Sequence, residues 1–135
     1  MQIMILSVLL ILLNGISNAQ NSLKSDCSIM KSGKFKYLEA QDTSAFFEIT
    51  DTSHTEYYNN GKYYIKSEMS WISDCQYSMK MLENTIPEFP FKPGDVMLVT
   101  IKRVDNDIIF FTSEVNGMKW DGKVRKLDHA LRNKL

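Results

Sequence analysis

IIFFTSEVNGMKWDGKVRKL, residues 108–127, gives the clearest structural signal in the chain, because strand alternation and turn chemistry agree within it. Asn116-Gly117 is the commonest two-residue hairpin turn, since both of its positions need positive φ. Pairing outward from the turn gives one largely apolar face, on which four pairs meet: Val115 with Met118, Ser113 with Trp120, Phe111 with Gly122 and Ile109 with Val124. On that face an aromatic ring covers a strand glycine. The sequence therefore predicts an antiparallel hairpin.

Other stretches with alternating apolar and polar residues predict further strands. Residues 95–104 form one, and a three-residue loop at 105–107 would keep its apolar face on the same side as that of the hairpin. A turn at Asn60-Gly61 sets Tyr58 across from Tyr63. Shorter alternating stretches are 34–39, 45–51 and 75–81.

Together these stretches predict an all-β domain, a single small antiparallel barrel or curled meander of about eight strands, since closure removes open strand edges. A β-sandwich is the alternative. The one long connection is the proline loop, residues 84–94 (NTIPEFPFKPG), which holds all three prolines and cannot pair as a central strand. The tail from Leu127 carries leucines four apart, which suits a short helix or a frayed end.

The first nineteen residues have the layout of a secretory signal peptide. Residues 3–13 are apolar except for Ser7, and the small-residue triplet Ser17-Asn18-Ala19 follows. Eleven helical residues reach about 16 Å, roughly half of the ~30 Å hydrocarbon core, so a membrane anchor is the poorer interpretation. The sequence thus predicts a signal peptide at 1–19, one β domain at 20–135 and a periplasmic or extracellular location.

The chain contains two cysteines, Cys27 and Cys75. In an oxidising compartment an isolated pair is expected to form a disulfide, which here would close a long loop and stabilise the fold by about 4 kcal/mol. Two buried free thiols are the alternative. A catalytic or metal-binding pair lacks the required C-x-x-C or nearby histidine pattern.

Charge and motifs argue against several functions. Sixteen basic residues balance sixteen acidic ones, so the chain lacks the net positive charge with which proteins neutralise nucleic acid phosphates. No nucleophile elbow, zinc-protease or dinucleotide motif is present, and we predict no enzyme activity and no cofactor. His54 and Glu56 share one strand face and could be metal ligands or an acid–base pair, but a solvated loop histidine is the simpler expectation.

Several segments resemble a family of short exported proteins from Bacteroidetes-type bacteria: Cys27, Ser32-Gly33-Lys34-Phe35, His54-Thr55-Glu56, Trp71-Ile72-Ser73-Asp74-Cys75-Gln76-Tyr77 and Pro93-Gly94-Asp95-Val96. The resemblance covers nearly the whole mature chain and implies export, small size and paired cysteines. Some members carry the name DNA topoisomerase IV, yet a small neutral domain offers no ATPase domain and no cleavage core. The resemblance therefore implies no active site. Gly33-Lys34-Phe35 is also similar to the G-x-aromatic start of lipocalin-like barrels.

Two hypotheses about function follow. The first is a non-enzymatic binding module of the envelope or exterior that contacts a protein or glycan through outward aromatic residues and the proline loop: Tyr57, Tyr64, Phe89, Phe91 and Phe110. The outward rings could equally be cross-strand braces, and the two phenylalanines of the loop either plug the barrel end or form a lip. The second is a lipocalin-like carrier of a small apolar ligand, with a pocket lined by Met69, Trp71, Met79 and Phe111.

Overall fold

The computed structural model describes residues 26–127. The predicted signal peptide at 1–19 and the tail beyond Leu127 lie outside the described residues. A 3-10 helix, Cys27–Met30, precedes eight strands. The strands are β1 Gly33–Tyr37, β2 Phe46–Thr50, β3 Ser53–Tyr58, β4 Tyr63–Ser73, β5 Gln76–Asn84, β6 Val96–Asp105, β7 Ile108–Val115 and β8 Met118–Lys126.

The strands form a closed barrel in which each strand pairs antiparallel with the next and β8 pairs with β1. The predicted up-and-down barrel is therefore confirmed and the sandwich alternative is wrong. Eight strands enclose an interior that side chains can fill or that can hold one small ligand. None of the helices between residues 26 and 127 combines the length and the apolar character needed to cross a membrane.

The β7–β8 hairpin has the predicted register, with Ser113 opposite Trp120 and Phe111 opposite Gly122. Both turn residues have positive φ, 49° at Asn116 and 79° at Gly117. A Cβ atom at residue 122 would lie 2.5 Å from Cζ of the Phe111 ring, so this ring lies directly over the glycine. The Tyr58–Tyr63 pairing of the β3–β4 hairpin is confirmed as well.

The predicted three-residue loop between β6 and β7 is wrong. Asp105 pairs directly with Ile108, which leaves a two-residue turn. The register then shifts between Ile101 and Arg103, so that Ile101 still pairs with Phe111. This β-bulge places one extra residue on β6 and returns the apolar side chains to the inner face.

The two ends of the barrel differ. Because consecutive strands alternate in direction, the loops 38–45, 59–62, 85–95 and 116–117 meet at one end, which we call the open rim. The other end, the closed end, is covered by the 3-10 helix, in which Met30 is fully buried. Lys126 Nζ donates to the backbone carbonyls of Ile29 and Ser32, at 2.9 and 2.7 Å, and holds this segment in place.

The predicted disulfide is confirmed. Cys27 of the 3-10 helix is bonded to Cys75, which lies between β4 and β5, and the Cα atoms are 5.2 Å apart. The bond ties the helix to the closed end. Beneath it the barrel is filled by a continuous core of large apolar side chains, which includes Phe35, Ile49, Met69, Val99 and Ile109.

Candidate functional site

The half of the barrel nearer the open rim is hollow. A cavity of about 290 Å³ lies between the core and the rim loops. Of the predicted pocket residues, Met79 and Phe111 line this cavity. Met69 and Trp71 do not lie among its lining residues, because they point into the filled half, where Met69 is buried and Trp71 packs against the core.

A polar stripe runs down one wall of the cavity. It consists of His54, Glu56 and Tyr58, which alternate along β3 and therefore point to the same side of the sheet. Their partners on β4 are Ser67, Ile65 and Tyr63. Because Ile65 is a core residue, this pairing directs the polar stripe inward.

Glu56 lies at the centre of a hydrogen-bonded cluster. The Tyr58 hydroxyl donates to Glu56 Oε2, and the Tyr37 hydroxyl on β1 also donates to this carboxyl group. Burial raises the pKa of Glu56, although both hydroxyls act in the opposite direction. Burial, together with the charge of Glu56, also raises the pKa of Tyr58 and of Tyr77.

His54 lies at the deep end of the polar stripe. Its side chain is only 2% exposed, and its ring stacks on that of Phe47 with centroids 4.5 Å apart. Within residues 26–127, its Nδ1 atom has no hydrogen-bond partner. Glu56 Oε1 lies 3.9 Å from Nδ1, which is too far for a direct hydrogen bond. Burial lowers the His54 pKa to about 3, so the ring is neutral near neutral pH.

The expectation of a solvated loop histidine is therefore wrong. The β2–β3 turn comprises only residues 51 and 52, so His54 already belongs to β3 and faces inward. The described part of the chain contains no group of three or more His, Cys, Asp or Glu residues that could hold a metal ion. What His54 offers is an unsatisfied polar atom at the bottom of a cavity, which is costly unless a bound group or water meets it.

Aromatic residues surround the mouth of the cavity. Phe89 and Phe91 of the proline loop both line it and contact each other edge to face, with centroids 5.7 Å apart. Phe91 also stacks over Trp120 of β8 at 6.2 Å. The loop is anchored to β5, since Gly94 N–H donates to the carbonyl of Met81. The two phenylalanines thus stand at the entrance, half-buried.

The other three aromatic residues proposed for binding lie on the outer surface and contact neighbouring side chains. Tyr57 stacks on Phe46 with centroids 4.9 Å apart. The Tyr64 hydroxyl donates to Glu83. The guanidinium carbon of Arg103 lies over the ring of Phe110, 4.1 Å from the centroid of that ring. Each ring therefore braces adjacent strands.

Comparisons with family models, with curated proteins and with solved structures gave no match to this chain. The similarity to lipocalin-like barrels and to the exported bacterial family remains a prediction. Function must therefore be inferred from the cavity itself. Four residues proposed from the sequence line the cavity, namely Met79, Phe89, Phe91 and Phe111. Sequence reasoning missed that the polar stripe faces inward, which the β3–β4 register could have revealed.

Proposed function

We propose that the protein is a carrier that holds one small molecule inside its barrel. The observation that carries the proposal is the cavity of about 290 Å³ with the unpartnered Nδ1 atom of His54 within it. A ligand that merely contacted the outer surface would not account for a hollow interior. The outer rings of Tyr57, Tyr64 and Phe110 serve as braces, which favours the carrier over a surface-binding module.

The size of the cavity limits the ligand. An apolar cavity of about 150 Å³ holds benzene, so a site about twice as large suits a molecule of about twelve non-hydrogen atoms. One wall is polar and the remainder is formed largely by methionine and aromatic side chains, among them Met79, Met97 and Phe111. The ligand is thus a compact amphipathic molecule.

We propose binding rather than catalysis. A histidine with a pKa of about 3 is a weak base at neutral pH, so His54 is suited to hydrogen bonding and poorly suited to accepting a proton. We also propose that the carrier works outside the cytoplasm. The Cys27–Cys75 disulfide and the predicted signal peptide at 1–19 support an oxidising compartment.

The proposal is tested by titrating 3-phenyl-1-propanol into the purified protein while recording methionine methyl resonances. We expect saturable shifts at Met79, Met81 and Met97, whose side chains line the cavity. Met69 lies in the filled half and should shift little. Because the larger side chain of tryptophan at residue 81 would occupy part of the cavity, Met81→Trp should weaken binding.

Met69→Leu is the matched control, because it changes a buried methionine outside the cavity. It should bind the alcohol with wild-type affinity. Absence of saturable shifts in the wild type, or undiminished binding by a folded Met81→Trp variant, would contradict the carrier proposal.

A further inference from the structure

The cavity carries charge of one sign only. Two acidic residues, Glu56 and Asp95, belong to its lining. Among the lining residues that the structure describes, there is no lysine and no arginine. Glu56 lies within the barrel with its side chain 13% exposed, whereas Asp95 lies at the rim, directly before β6. An ionised Glu56 would therefore be a buried carboxylate without a cationic partner in the described cavity wall.

The surroundings of Glu56 leave room for a further donor. Two tyrosine hydroxyls, from Tyr37 and Tyr58, donate to it. A carboxylate offers about four lone-pair sites, so acceptor capacity remains. Glu56 Oε1 lies 3.9 Å from His54 Nδ1, a separation that one small group could bridge by contacting both atoms.

The walls around this carboxylate are aromatic. Phe47 and Tyr77 line the deep part of the cavity, and Phe91 and Trp120 line its mouth. The negative faces of aromatic rings attract cations, and the attraction is stronger when water is excluded. The carboxylate of Glu56 and the surrounding aromatic rings therefore both favour a cationic ligand.

We propose that the ligand is a small organic cation: a primary or secondary amine on a compact apolar body. This inference rests on the proposed carrier function. The ammonium group lies between Glu56 and His54, donating to the carboxylate and to the neutral imidazole nitrogen. The apolar body extends past Phe111 toward Phe89 and Phe91 at the rim. An ammonium carries several donors, so one group can satisfy both atoms.

Alternative ligand classes fit less well. A carboxylate ligand would place like charge beside Glu56, and the described lining offers no cation to compensate it. A neutral alcohol could fill the volume but would leave the buried carboxylate unpaired. Tyr37, His54, Tyr58 and Tyr77 are the titratable groups that surround Glu56, and burial raises its pKa. A bound ammonium would supply the opposite charge that this carboxyl group lacks.

The test uses three probes with the same body: 3-phenylpropylamine, 3-phenyl-1-propanol and 3-phenylpropanoate. Isothermal titration of the wild-type protein at neutral pH should give the amine an affinity about tenfold to a hundredfold higher than that of the alcohol, as expected for a charge-assisted hydrogen bond. The carboxylate should bind most weakly. This comparison requires no variant and does not depend on the folding of one.

Glu56→Gln removes the charge and keeps the shape of the side chain. It should reduce amine affinity by about tenfold or more and reduce alcohol affinity by a clearly smaller factor, because only the amine loses a charge-assisted hydrogen bond. Glu68→Gln is the matched control, since Glu68 lies exposed on the outer face of β4 and its loss should change neither affinity.

The outcomes separate the two proposals. If the alcohol or the carboxylate binds as tightly as the amine, recognition of a cation is wrong while the carrier function stands. If Glu56→Gln weakens amine and alcohol equally, Glu56 shapes the cavity and does not recognise charge. If none of the three probes binds, the carrier proposal itself fails.

Discussion

His54 shows how burial alone sets the charge state of a side chain. Its ring is enclosed by the barrel and stacked on Phe47, so the charged form loses its hydration and the pKa falls from 6.5 to about 3. Between pH 6.5 and about pH 3, His54 is therefore protonated in the unfolded chain and neutral in the folded chain. The stability that depends on neutral His54 is complete above about pH 6.5 and is lost as pH falls toward 3.

Replacing His54 should make the fold less sensitive to acid. Between about pH 7 and about pH 4 we expect the wild type to lose up to about 3 kcal/mol of unfolding free energy through His54. Glu56 acts in the opposite direction, because its raised pKa makes the folded state take up a proton as pH falls. His54→Phe keeps the aromatic stack and should show a much flatter profile in urea unfolding at several pH values. Equal slopes for wild type and variant would contradict this account.

The inward direction of His54 was within reach of sequence reasoning. The predicted pairing of Tyr58 with Tyr63 is confirmed, and counting back along the hairpin places Glu56 opposite Ile65 and His54 opposite Ser67. Residues 63 and 65 belong to the apolar face, so the register already indicated burial. Because histidine and glutamate are polar, the residue types suggested instead that both side chains are exposed. The missing partner of Nδ1 could not be predicted, because it depends on packing among strands distant in sequence.

At the scale of secondary-structure elements, turn residues predicted where a hairpin lies, whereas nothing in the sequence predicted the β-bulge. Asn116-Gly117 specified both the position and the register of the last hairpin. The bulge between Ile101 and Arg103 has no comparable local signal, since lysine at 102 is compatible with a regular strand. Alternation nevertheless predicted the correct inner face, because burial of Ile101 opposite Phe111 constrains the register more strongly than loop length does.

The proline loop places two aromatic rings, those of Phe89 and Phe91, at the mouth of the cavity. Phe89→Ala combined with Phe91→Ala would remove both rings from the mouth without changing the polar stripe. We expect dissociation of 3-phenyl-1-propanol to become about tenfold faster, because lost contact of about 1.4 kcal/mol corresponds to that factor. Line-shape analysis of methionine methyl resonances measures the rate.

Leu82→Ala is the control for the loop variant. Leu82 is 55% exposed and lies near the end of β5, outside the cavity lining. It should leave the dissociation rate unchanged. A double variant that exchanges ligand as slowly as the wild type would show that the two phenylalanines do not guard the mouth.

At the scale of the whole fold, the barrel formed by residues 26–127 divides into a filled half and a hollow half. The closed end contains the disulfide, the 3-10 helix and the core around Phe35 and Ile109. The open half contains the cavity. Sequence reasoning predicted the barrel and the disulfide but not this division, because the same alternation continues through both halves. Whether inward side chains meet at the barrel axis depends on their sizes and on the register of all eight strands together.

The disulfide should stabilise the fold without affecting ligand binding. Cys27→Ala combined with Cys75→Ala releases a loop whose ends are 48 residues apart, which should lower the unfolding free energy by about 4 kcal/mol. Affinity for 3-phenyl-1-propanol should stay within about twofold, because the bond lies at the opposite end from the cavity mouth. Urea unfolding measures the change in unfolding free energy, and calorimetric titration measures the affinity for the alcohol. A folded variant that no longer binds the alcohol would contradict the separation of the two halves.

Within residues 26–127, the 3-10 helix and the Cys27–Cys75 bond cover one end of the barrel, and Phe89 and Phe91 line the cavity at the other end. For the proposed carrier, this arrangement means that the ligand enters and leaves past the same two rings. Under the proposed carrier function, a partner that delivers the ligand and a partner that receives it would use these loops one after the other, so loading and unloading would not occur at the same time.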